Sequence, residues 1–182
     1  MRIGPLRLRD SRDDDVASIS RIYGYWVEYG LASFELEPPS VEEMASRRAT
    51  LMAGGYPYLV IEGEGAKIVG YAYAGPYRTR PAYRFACEDS VYIAPDAAGQ
   101  GLGRRLLEAL IARSETSGFR LMVAVIGDSA NSASIGLHRA LGFSQAGILP
   151  GIGWKHGRWV DSFLMTRPLG DGVSSAPVER LI

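Results

Sequence analysis

A strand leads into a glycine-rich turn and then into a helix between Glu88 and Leu107. The strand is Glu88 to Ile93, the turn is Ala98-Gly99-Gln100-Gly101-Leu102-Gly103, and the helix opens Arg104-Arg105-Leu106-Leu107. Strand, turn and helix in that order constrain the chain to a sheet with helices packed on its faces. A helix N-terminus leaves about four backbone N–H groups unpaired and carries roughly half a positive charge. Glycines allow a ligand to approach those groups closely. The segment is therefore suited to a phosphate or pyrophosphate. Arg104 and Arg105 sit in the first turn, where cations oppose the helix dipole unless an anion compensates, and this favours phosphate binding over a plain solvated face.

The flanking periodicities give the rest of the order. Ile3 to Arg9 reads as a first strand, and Asp13 to Tyr29 as a helix with Val16, Ile19, Ile22, Tyr23, Trp26 and Val27 on one stripe. A loop over 31–39 follows. Ser40 opens a second helix in a capping box with Glu43, ending near Gly54-Gly55. Tyr58 to Glu62 and Lys67 to Ala74 are strands around a Gly63-Glu64-Gly65 turn. Tyr77 to Arg84 is a basic, aromatic loop before the Glu88 strand. Beyond the glycine loop, Leu102, Leu106, Leu110 and Ile111 give the next helix its buried face, and Gly118 ends it. Leu121 to Ile126 is a buried strand, and Asn131 to Leu141 is a helix. Ile148 to Trp154 and Trp159 to Met165 are strands around the turn Lys155-His156-Gly157-Arg158. The expectation is one α/β domain over 1–169, a mixed sheet flanked by helices, with a loose tail over 170–182.

Bulk properties exclude several classes. Twenty basic and twenty acidic residues balance to zero, which gives no support to a nucleic-acid surface. The lone Cys87 rules out an internal disulfide and a cysteine-based metal site. No apolar run is long enough for a membrane span. The start of the chain turns polar within about ten residues and lacks a signal-peptide core, so a cytoplasmic protein is expected.

Two common phosphate loops fail to match. A P-loop ends Gly-Lys-Ser/Thr, and this loop ends Gly103-Arg104-Arg105. The dinucleotide fingerprint needs a glycine where Arg104 stands. Ala98 to Gly103 instead resembles the acetyl-CoA loop of the GNAT superfamily of N-acetyltransferases, Gln/Arg-x-x-Gly-x-Gly/Ala, with Ala98 at the position usually held by Gln or Arg. The element order is similar over about residues 2–168. Further segments resemble the branch that acetylates phosphinothricin and methionine sulfoximine. They are Tyr73 to Arg78, Cys87 to Ile93, Val123 to Gly127, Leu137 to Phe143, and Gly153 to Asp161 with its Lys-His-Gly-x-Trp-x-Asp pattern.

That resemblance implies a GNAT fold, acetyl-CoA as co-substrate, a small amino acid analogue as acceptor, and a homodimer; the alternatives are another amine (a protein N-terminus, a lysine or a polyamine) or a CoA-binding module without catalysis. It places the general base at Glu88 and a general acid at His138. It places cofactor binding at Val91, Tyr92, Ile93, Ala98, Gly99, Gln100, Gly101, Leu102, Gly103, Arg104, Arg105 and Asn131. Backbone N–H groups near Tyr92 and Ile93 are expected to meet the developing oxyanion. Substrate contacts are expected from Phe34, Tyr77, Arg78, Arg84 and Glu88, with an arginine clamping a carboxylate. Plainer readings stand beside these: Glu88 in an ion pair with Arg78, Arg80 or Arg84; His138 on a helix surface; Asn131 as a helix cap; Phe34 in the core; Lys155 and His156 in a surface turn. Alternation puts Glu88, Ser90 and Tyr92 on one face of their strand and Asp89, Val91 and Ile93 on the other, unless a bulge intervenes. Cys87 then lies opposite Glu88, which favours direct transfer over a covalent acetyl-enzyme.

Overall fold

A computed structural model describes residues 6–178. Its strands are β1 Arg7–Asp10, β2 Tyr58–Glu62, β3 Ile68–Pro76, β4 Ala86–Ile93, β5 Leu121–Gly127, β6 Ser144–Lys155 and β7 Arg158–Pro168. They form one sheet in the order β1-β2-β3-β4-β5-β7-β6. The helices are α1 Val16–Tyr29, α2 Val41–Ala53, α3 Leu102–Thr116 and α4 Ser132–Ala140. Strands and helices follow one another in the order that the periodicities predict. Ile3 to Pro5, at the head of the expected first strand, lie outside the described residues.

Local chemistry accounts for where the boundaries differ. The helix expected from Asp13 starts with a 3-10 turn over Asp13–Asp15. Asp15 accepts from the Arg12 backbone N–H at 2.7 Å and pairs with Arg9, so the acidic turn closes on its own backbone and on β1. Ser40 caps α2, its Oγ accepting from the Glu43 N–H at 3.2 Å. β6 and β7 run longer at both ends than alternation suggests. Their register shifts between Gln145 and Gly147 and again between Leu149 and Gly153, and such irregularities erase the period-two signal.

The sheet is antiparallel except where β4 meets β5. That pair is parallel and joined at Ala86↔Leu121, Cys87↔Met122 and Glu88↔Val123 only. Past Glu88 the two strands part. On its other side β4 pairs with β3 without a break from Pro76↔Cys87 to Gly70↔Ile93. No bulge intervenes, so simple alternation holds along β4. Glu88, Ser90 and Tyr92 face α1 and α2, with the Tyr92 ring 5.1 Å from that of Tyr23. Asp89 and Ile93 face α3 and α4, and Cys87 is fully buried. The core fills both faces; Leu102, Leu106, Leu107 and Leu110 of α3 are essentially inaccessible to solvent.

Candidate active site

The parting of β4 and β5 opens a cavity of about 860 Å³, within the size range of small-ligand sites. Its walls include Val91, Tyr92 and Ile93, the loop residues Ala98, Gly99 and Gly101, Gly103 and Arg104 of α3, and Asn131, Leu137 and His138 at α4. Gly99 and Gly101 have φ of +76° and +74°, which a side chain rarely tolerates. No side chain caps α3, so its first N–H groups are left for a ligand at the cavity wall. The Ile93 carbonyl turns away from β3 and accepts from Trp26 Nε1 at 2.8 Å. Ala94 donates to Val69 on the β3 side. By strand alternation the amides of Ile93 and Val91 therefore face the gap, whereas that of Tyr92 faces β3.

Not every expected cofactor residue shares this wall. Gln100 and Arg105 are exposed outside it, and the Leu102 side chain is core, 1% exposed. Arg104 Nε donates to Glu108 at 2.8 Å. Asn131 lines the cavity and also caps α4, its Oδ1 accepting from the Ser134 N–H at 3.1 Å.

A second cavity of about 440 Å³ lies between α2 and the β3–β4 pair. Both cavities have Tyr23, Tyr73, Glu88 and Ser90 in their walls, so they meet at Glu88. Burial pushes the Glu88 carboxyl up to about 7; the neighbouring Asp89 charge adds to the rise and Arg78 opposes it. A carboxyl at that value is poised to take a proton near neutral pH.

The smaller cavity draws on residues the sequence reading passed over: Met44, Arg47, Thr50 and Leu51 from α2, and Tyr58 and Tyr73 from the sheet. Arg47 is held by Glu35 at 2.6 Å and by Glu43 in the next turn. The polar spacing Ser46, Arg47, Thr50 was the available signal, since it puts hydrophilic groups on the helix flank beside the sheet. Arg78 and Arg84 are exposed, their guanidinium groups over the rings of Tyr77 at 5.0 Å and Phe85 at 4.5 Å. Neither arginine nor Tyr77 enters either cavity wall.

Phe34 does line the larger cavity, on a loop fastened from several sides. Lys155, buried at 3% exposure, donates from Nζ to the Ser33 carbonyl at 2.7 Å. Burial pulls the Lys155 ammonium below its ordinary range, with Glu35 opposing. Tyr23 donates to Glu35 at 3.0 Å and bonds Ser33 Oγ at 2.9 Å. The loop also crosses two glycines closely. A Cβ on Gly127 would stand 2.0 Å from the Leu31 carbonyl oxygen, and one on Gly153 would stand 2.1 Å from the Phe34 ring.

On the opposite face of β4, His138 is buried at 4% exposure, not on a helix surface. Its Nε2 lies 3.0 Å from Asp89 Oδ2 and its Nδ1 lies 2.7 Å from the Ser134 carbonyl oxygen. Burial works against charge on the ring, but the Asp89 carboxylate and the Ser134 carbonyl outweigh it, and the pKa of His138 is raised. Asp89 was not foreseen as a site residue; alternation identified only the face it occupies.

The uncapped helix end, the open glycine turn and the unpaired amides of a splayed strand suit a ligand with phosphates at one end and an amide-bearing arm. Comparison with known proteins agrees. The profile of the acetyltransferase (GNAT) family matches residues 20–143. A phosphinothricin N-acetyltransferase from Alcaligenes faecalis is 55% identical over 170 residues, covering 93% of this chain and 86% of that protein. An L-methionine sulfoximine/L-methionine sulfone acetyltransferase from Pseudomonas aeruginosa is 40% identical over 173 residues, covering 93% and 98%. The crystal structure of a phosphinothricin acetyltransferase from Sinorhizobium meliloti in complex with acetyl-CoA superimposes with a TM-score of 0.93 at 48% identity, covering 96% of this chain and 94% of that one. The chain belongs to the acetyltransferase (GNAT) family.

Proposed function

We propose that the protein acetylates the α-amine of a small amino acid analogue of the phosphinothricin, methionine sulfoximine or methionine sulfone kind. Acetyl-CoA supplies the acetyl group as a thioester. The observation that carries the reading is the meeting of the two cavities at Glu88: one accommodates the co-substrate, the other the acceptor, and the base stands between them. Glu88 takes a proton from the acceptor ammonium or amine, directly or through a water. The amides of Val91 and Ile93 hold the arm of the co-substrate and its acetyl oxygen. The loop amides over 99–104 and the Arg104 guanidinium hold phosphate. His138 serves the leaving-group side. Arg78, whose charge acts on Glu88, remains the candidate for a carboxylate that projects from the mouth of the site. Cys87 lies outside both cavity walls, which supports direct transfer.

The same reading includes a homodimer and a cytoplasmic location. The β6–β7 hairpin presents Ile152 and Trp154 at 59% and 56% exposure and Trp159 at 66%, an apolar face suited to a second copy. Light scattering tests the dimer. The cytoplasm follows from the co-substrate, an intracellular metabolite.

Thiol release from acetyl-CoA, measured over a panel of amino acids, their sulfoximine, sulfone and phosphinate analogues, a polyamine and an N-terminal peptide, tests the function. Turnover confined to the amino acid analogues is expected. Turnover with the peptide or the polyamine alone overturns the acceptor, and no release with any amine overturns the activity.

A further inference from the structure

The nearest partner of each ring nitrogen of His138 is an acceptor: the Asp89 carboxylate at 3.0 Å from Nε2 and the Ser134 carbonyl at 2.7 Å from Nδ1, with the Ser134 hydroxyl farther from Nδ1 at 3.4 Å. An imidazole that makes both bonds must donate from both nitrogens, which is the protonated form. The ring of Phe143 packs edge-on against it at 5.0 Å. The other carboxylate oxygen, Asp89 Oδ1, is buried with no hydrogen-bond partner. A buried pair left half satisfied contributes little to stability compared with an apolar pair of similar volume. Both residues instead form part of the co-substrate cavity wall, beside the point where β4 leaves β5.

We propose that Asp89 is a positioning residue for acetyl transfer: it holds His138 as an imidazolium in the cavity wall, where its fixed positive charge stabilises the sulfur as it departs. This rests on the transferase reading above. In the transfer, the acceptor nitrogen forms its bond to the acetyl carbon and its proton passes to a Glu88 carboxylate oxygen. The carbon–sulfur bond breaks and its electron pair stays on sulfur. The imidazolium retains both protons, since each is bonded to the protein, and the sulfur takes its proton from water on release. The groups whose charges bear on Glu88 in this setting are Asp89, Arg78, Tyr73 and Tyr92. The charge paired with His138 is that of Asp89.

The chain has two histidines, His138 and His156, so histidine-labelled protein gives two ring signals that His156→Gln assigns. In the ligand-free wild type, the His138 signal is expected to titrate above the ordinary value near 6.5, because the Asp89 carboxylate and the Ser134 carbonyl favour the charged ring. In the isosteric Asp89→Asn it is expected below that value. Calorimetry at pH 8 compares free CoA with desulfo-CoA. The wild type should prefer the thiol-bearing ligand, and Asp89→Asn should lose that preference while kcat falls roughly tenfold or more and the acetyl-CoA KM moves less. A wild-type His138 that titrates at or below the ordinary value overturns the proposal without any variant. So does an Asp89→Asn enzyme that keeps kcat and the CoA preference. Absence of thiol release by the wild type marks failure of the transferase reading instead, and the titration then still decides the ion pair.

Discussion

Replacing Glu88 by Gln separates catalysis from folding, because the two effects have opposite signs. The carboxyl ionises near 7 in the fold against an ordinary 4.5. In the wild type, kcat/KM for the acceptor should climb about tenfold per pH unit below 7 and level off above it, so that at pH 6 about a tenth of the carboxyl is ionised. Glu88→Gln should abolish that limb and lower kcat/KM at pH 8 by roughly 10²-fold, the low end for a general base. Stability moves the other way. A raised carboxyl pKa means that the folded state favours the neutral acid. The unfolded chain releases its proton from about pH 4.5 and the folded chain only near 7, so Glu88 erodes stability across that window and does so fully above it. At about 1.36 kcal/mol per unit the ceiling is about 3 kcal/mol; partial solvent contact screens this to about 1–2 kcal/mol. Urea unfolding should show Glu88→Gln more stable than wild type by that amount at pH 8 and equal to it at pH 4. A variant with an unchanged pH–rate profile, or one less stable at pH 8, would refute the assignment.

Other substitutions probe the walls of the site. Thr50 lines the acceptor cavity from the exposed flank of α2, so Thr50→Trp fills that space. The acceptor KM should rise roughly tenfold while the acetyl-CoA KM stays within about twofold; equal changes in both would place the acceptor elsewhere. Lys155→Met keeps the buried stem but leaves the Ser33 carbonyl without its donor, at a cost of about 1–3 kcal/mol. Thermal unfolding should fall by several degrees and the acceptor KM should increase; an unaltered KM would detach the loop from substrate binding. Gly127→Ala forces a methyl against the Leu31 carbonyl, and backbone must move to admit it. A loss of at least about 2 kcal/mol is expected in urea melts, and wild-type stability would show that the loop yields freely.

The catalytic strand was the most legible part of the chain. Period-two alternation along β4 put Glu88 and Asp89 on opposite faces, and the unbroken register with β3 preserved that order. The glycine loop and the two-histidine, one-cysteine inventory were equally readable, because they depend on local spacing. What stayed hidden depends on contacts between distant segments. Arg47 and Thr50 line the smaller cavity because α2 crosses the β3–β4 pair; their local spacing marks a polar helix flank but does not encode that crossing. Lys155 was read as part of a surface turn; its Nζ reaches 122 residues back to Ser33. The arginines of the 77–84 loop drew attention by composition, yet Arg78 and Arg84 lie at the surface over neighbouring rings.

Three paired positions join the four-stranded half of the sheet to the three-stranded half, and the last of them is Glu88. The line of fewest interstrand bonds thus runs into the residue proposed as the base. The sheet is thus two plates joined along a short seam, with Glu88 at the end of the seam and the Asp89–His138 bond joining β4 to α4 just beyond it. A ligand lying in that opening would meet strand edges that no other strand occupies.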